Sequence, residues 1–120
     1  MSVVWSKKMS AAPAHFGAVL QLRAQPGRRD DLVTLLGNYV NTLDDGEPGT
    51  TLLAVALDPG DEAAVWMWEE FADADAVGAH FSHDFFRALQ LELADLLVEA
   101  PAVRPLTPAI RHVRSGVTAE

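Results

Sequence analysis

The run WMWEEFADADAVGAHFSHDFF, residues 66–86, holds two tryptophans, two glutamates, two histidines and several phenylalanines. His80 is the residue type whose ordinary pKa lies nearest neutrality, which suits a general base. Glu69 shares a strand face with Val65, Met67 and Phe71. A carboxylate among apolar neighbours needs a partner, because burying it alone is costly. His80 and Arg87 are the candidates, and a Glu69–His80 pair would orient the imidazole and hold its proton. The same residues also read as a helix-end histidine bonded to backbone and a strand-end glutamate in water. Trp66 and Trp68 occupy the other strand face, where they either stack on a planar substrate or bury an interface. Side chains alternate along a strand, so Glu69 and the tryptophans line one pocket only if a bulge intervenes. His80 and His83, with Glu69, have metal-ligand residue types. A new helix starting at Ser82 would break their i, i+3 geometry, and no metal is expected. The chain has no cysteine, which removes thiolate sites, thiol catalysis and disulfides. Gly-rich phosphate loops, a nucleophile elbow and paired-carboxylate motifs are absent.

These side chains need elements to position them. In residues 15–24, Phe16, Ala18, Leu20 and Leu22 alternate as in a strand. Pro26 and Gly27 turn the chain. Asp30 and Asp31 then suit the first turn of a helix over 28–43, whose Leu32, Leu35, Leu36, Tyr39, Val40 and Leu43 recur at helical spacing. Gly46 is its stop, and EPG, residues 47–49, is a turn. Residues 50–57 are apolar on both faces, as in a strand covered on both sides. DPGD, residues 58–61, turns into a partner strand over 62–71. Asp73 caps a short helix through His80, and Ser82 caps a second one carrying Phe85, Phe86, Leu89 and Leu93. A last strand over 103–113 contains Pro105 and Pro108, which fit an edge or a bulge.

Strand, helix, strand, strand, helix, strand is the α+β, ferredoxin-like βαββαβ order: a four-stranded antiparallel sheet with both helices on one face. The second and third strands are nevertheless apolar on both sides. A second copy of the chain, packed sheet to sheet, is the economical cover, so a homodimer is expected.

With 120 residues, one domain over 15–113 is expected, between an N-terminal tail of 1–14 read as flexible and a C-terminal tail of 114–120. A net charge of −8 disfavours nucleic acid and anionic membrane surfaces. No apolar run approaches a membrane span, and no signal-peptide core is present, so the cytoplasm is the expected address.

The combination of QPGRRDDLVTLL opening the first helix, EPGT before the second strand and WEEFADADAVGAH bridging the third strand into a helix resembles the antibiotic biosynthesis monooxygenase family, whose members are dimeric α+β barrels. The resemblance runs from Phe16 to about Val113. It implies a cofactor-independent oxygenase that converts an electron-rich aromatic, a phenol, anthrone or hydroquinone, to a quinone with O2. An isomerase or cyclase using proton transfer on the same scaffold, and a non-catalytic small-molecule binder, are the alternatives. His80 and Glu69 would be catalytic. The family's oxygenases are associated with a pocket Trp, Asn and Arg; Trp66 and Arg87 match, with Trp68 and Phe85 as further substrate contacts, but the third strand has no Asn. Haem-degrading relatives use an Asn on the first strand, which this chain also lacks. No cofactor is therefore expected.

Overall fold

In the computed structural model, which describes residues 16–114, the first element is strand β1, Phe16–Arg23. The tails expected at 1–14 and beyond residue 114 lie outside the described residues. After Pro26, Gly27 adopts φ +75°, a conformation that glycine reaches without steric cost. The chain then enters helix α1, Arg29–Val40, with Asp30 and Asp31 in its first turn and Leu32, Leu36 and Tyr39 facing inward. Arg29 Nη1 donates to the carbonyls of Asp58 and Asp61 at 3.1 and 2.9 Å, fastening the start of α1 to the hairpin turn.

The single helix expected over 28–43 is divided. Thr42 Oγ1 donates to the Tyr39 carbonyl at 2.7 Å, and a one-turn helix α2, Leu43–Gly46, follows. This side-chain bond competes with the helical ladder at the end of α1. Strands β2, Thr50–Leu57, and β3, Ala64–Phe71, come next. Helix α3, Ala74–Ser82, starts as expected, with the Asp73 carboxylate accepting from the Ala76 N–H at 2.8 Å. Helix α4 is Asp84–Leu96 and strand β4 is Ala102–Leu106.

Two further expectations are corrected. Ser82 does not cap α4: its hydroxyl donates back to the Gly78 and Ala79 carbonyls, so it ends α3, and His83 stands at the start of α4 with no side-chain cap bond. The last strand is five residues long rather than running to Val113. Pro105 is tolerated because β4 is an exposed edge. Beyond Leu106 the chain leaves the ladder, at a segment whose Pro108 has no N–H to give it.

The sheet is antiparallel in the order β2-β3-β1-β4, the ferredoxin-like arrangement. One face packs against the helices. Leu22, Val65, Leu32 and Leu36 are fully buried there, joined by Leu89, Leu93 and Leu96 of α4; each such side chain contributes about 1.5–3 kcal/mol. The opposite face carries Ala54, Ala56, Val19, Trp66, Trp68 and Glu70, which the register places side by side. Gly17 lets the Trp68 indole lie across β1, since a Cβ there would fall 2.8 Å from Trp68 Cη2. No helix among the described residues is long and apolar enough to cross a membrane.

Candidate active site

α3 turns Ala76 and His80 inward. The His80 side chain is almost fully buried, with ring centroids of Phe86 at 4.1 Å and of Phe71 and Phe81 at 5.1 Å. Its Nδ1 lies 2.7 Å from Glu47 Oε1 and 3.1 Å from the Tyr39 hydroxyl. Glu47 comes from the turn between α2 and β2 and is only 3% exposed. Besides His80, it accepts hydrogen bonds from the Tyr39 hydroxyl and from Thr50 Oγ1, the latter at 3.0 Å. A carboxylate only accepts, so His80 carries a proton on Nδ1, and in the neutral imidazole the lone pair is then on Nε2. Burial, then the hydrogen bond to Glu47, push the Tyr39 phenol far above its ordinary range, so it stays a donor.

Glu69 sits on the helix-facing side of β3 and is 6% exposed. Its Oε2 is 3.9 Å from His80 Nε2, beyond hydrogen-bonding distance. Burial raises its pKa and the nearby Glu47 adds to the rise, while His80 opposes it. His83 closes the outer side of Glu47: its Nδ1 lies 3.9 Å from Glu47 Oε2 and is buried without a hydrogen-bond partner among the described residues. The ring rests on Gly46, where a Cβ would come within 2.5 Å of His83 Nε2.

These groups border a cavity of about 350 Å³ between the sheet and the helices. Its walls are apolar, from residues such as Leu20, Leu36, Met67, Phe86 and Leu93. Tyr39, Glu69, His80 and Gln90 are the polar side chains that line it, and no lysine or arginine among the described residues does. Phe16 and Phe81 line it while remaining 45% and 61% exposed, which marks the opening. The described residues contain no cluster of His, Asp or Glu able to hold a metal ion.

The structure brings His80 and Glu69 together at this cavity, but Glu47, not Glu69, makes the bond that orients the imidazole. The other four candidates lie elsewhere. Trp66 and Trp68 are on the open sheet face, donating to Asp58 Oδ2 at 3.0 Å and Glu70 Oε2 at 2.8 Å. The strand carries no bulge that would turn them inward, so side-chain alternation keeps them away from Glu69. Phe85 is exposed with its ring beside His83, and its neighbour Phe86 takes the cavity position. Arg87 is exposed on α4 and does not reach the cavity. Helical rotation separates these adjacent residues: Phe86, Leu89 and Leu93 share the inward stripe. Glu47 and Tyr39 were not expected at the site. Tyr39 fits the apolar stripe of α1, and Glu47 reads as a turn residue; its flanking Gly46 and Gly49, which permit close packing, are the available signal.

A family model described as antibiotic biosynthesis monooxygenase (ABM) matches residues 15–91. A Chloroflexus aurantiacus J-10-fl structure bearing that family name is 25% identical with a TM-score of 0.72, covering 83% of this chain and 98% of its own. A Nitrosomonas europaea protein of unknown function has a TM-score of 0.76 at 21% identity, with 88% and 99% covered. A Caulobacter crescentus CB15 structure bearing the family name has a TM-score of 0.75 at 20% identity, with 82% and 92% covered. The last two likenesses show the fold alone. No curated protein matches the sequence. With the model spanning most of the chain, and the helix-covered sheet it describes present here, the protein belongs to the antibiotic biosynthesis monooxygenase family.

Proposed function

We propose that the protein is a cofactor-independent monooxygenase that oxidises an electron-rich aromatic, a phenol, hydroquinone or anthrone, to a quinone with O2. The observation that carries this reading is His80, whose Nδ1 is tied to buried Glu47 and whose Nε2 has no hydrogen bond among the described residues at the wall of an apolar cavity. The cavity volume of about 350 Å³ falls within the range of small-molecule sites. Nε2 takes a proton from the substrate, and the substrate anion transfers electrons to O2. A substrate peroxide forms at a ring carbon. It loses water as His80 returns the proton, so one oxygen atom becomes the new carbonyl and the other leaves with two substrate hydrogens. The protein supplies position, deprotonation and exclusion of water.

The working unit in this reading is a homodimer. Trp66 is 38% exposed on an open sheet face where Ala54 and Ala56 are also exposed, and a second copy would cover them.

The test is oxygen uptake by chelator-treated, flavin-free protein given a hydroquinone or anthrone. His80→Ala should lower kcat/KM by roughly 10²–10⁴-fold while leaving the circular dichroism spectrum intact. Turnover of the substrate under strict anaerobiosis would favour the isomerase or cyclase reading, and saturable binding without product would favour a binder; either result overturns the proposal.

A further inference from the structure

The proposed reaction passes through a substrate anion, yet the described residues lining the cavity offer no lysine or arginine to receive it. Of its polar side chains, Tyr39 has its proton committed to Glu47, His80 is the base, and Gln90 is an exposed residue of α4, whereas Glu69 is buried beside His80. Glu69 faces the same nitrogen that takes the proton. An ionised Glu69 would set a like charge against the developing anion in apolar surroundings and raise the barrier. A protonated Glu69 would do the opposite, donating to the oxygen where charge appears.

The surroundings favour the protonated form. Glu69 lies between Met67 and Phe71 on its strand face, with Ala18 and Leu53 as cross-strand neighbours. No donor among the described residues bonds its carboxyl, whereas Glu47 has three. The ionisable groups facing this end of the cavity are His80 from α3, Tyr39 from α1 and Glu47 from the turn before β2, with His83 behind Glu47. Glu70 and Arg111 are on the far side of the sheet. Burial raises the Glu69 pKa, His80 pulls it back, and Glu47 adds to the rise, so the net direction is toward the protonated form.

Resting on the proposed deprotonation at His80, we infer that Glu69 is a neutral catalytic acid whose O–H donates to the same substrate oxygen that gives its proton to His80 Nε2. The 3.9 Å between Glu69 Oε2 and His80 Nε2 is too long for a direct bond and leaves room for one oxygen bonded to both. That geometry narrows the substrate class. It fits an uncharged phenolic or enolic hydroxyl. It does not fit the carbon acid of an anthrone, whose proton leaves one side of the ring while charge collects on an oxygen across it. The two buried carboxyls divide the work: Glu47 holds Nδ1, and Glu69 holds the oxyanion.

The experiment uses 4-nitrophenol, whose colour distinguishes bound phenol from bound phenolate without turnover, so it stands even if no oxygen is consumed. Wild-type protein should bind it as the phenolate. Glu69→Gln, whose amide still donates, should bind within about threefold of wild type, and Glu69→Leu should lose about 10–100-fold. Infrared difference spectra at pH 7 should contain a protonated-carboxyl band that Glu69→Gln removes, a readout that holds even if the Leu variant does not fold. The absence of that band, or nitrophenolate binding by Glu69→Leu as tight as wild type, would overturn the assignment.

Discussion

The imidazole of His80 is held by a carboxylate and a phenol that lie 33 and 41 residues away in the chain. Removing the hub of such a network leaves several donors unpaired at once. Glu47→Ala strands the Thr50 hydroxyl and leaves the Tyr39 hydroxyl and His80 Nδ1 only each other, so at ~1–3 kcal/mol for each group left unpaired the total loss should be about 2 kcal/mol or more in urea unfolding. Glu69 gives a pH signature of definite sign. Its pKa is raised on folding, so the native state binds more protons than the unfolded one between the two pKa values. Stability attributable to Glu69 is therefore complete below the unfolded pKa and falls as pH climbs toward the folded one. Glu69→Gln should melt closer to wild type at pH 4 than at pH 8, with the variant gaining relative stability as pH rises, measured by thermal unfolding across that interval. His80 and Glu69 were legible in the sequence because residue type and strand parity identify them locally. Glu47 was not, because a buried carboxylate and a solvated turn carboxylate look alike until tertiary contacts are known.

The elements matter through how closely they approach. Gly49 lies just before β2, where a Cβ would fall 2.5 Å from the Ala76 Cβ of α3. This contact seats α3 beside the turn that carries Glu47, so helix position and the Glu47–His80 bond are set together. Gly49→Ala should cost ~1–3 kcal/mol by overpacking, seen as a lower Tm, and should also reduce kcat by displacing His80. The order of strands and helices, and the Asp73 cap, were legible from periodicity and turn residues. The α3–α4 boundary was not, since a serine between two helical runs can bond backward or forward and here bonds backward to Gly78. The short β4 follows the same logic: two prolines pointed to an edge, but the sequence had no marker for where the chain leaves the ladder.

At the scale of the molecule, the sheet separates two environments. Glu69 borders the cavity, while Glu70, its chain neighbour, is buried on the other side against Trp68 and Arg111, whose Nε lies 2.5 Å away. If the open face is the homodimer contact, Trp66→Asp should shift the protein toward monomer in light scattering at micromolar concentration while leaving the helix-side core intact, because a charge placed twice across a two-fold axis repels itself. Family membership, and with it the layered fold, was legible from spaced motifs. Side-chain destinations across the sheet followed only from register. The placement of the described tryptophans also decides what intrinsic fluorescence can report. Trp66 and Trp68 both donate to carboxylates on the open face and neither borders the cavity, so their emission should follow subunit association and remain nearly silent to a ligand seated beside His80.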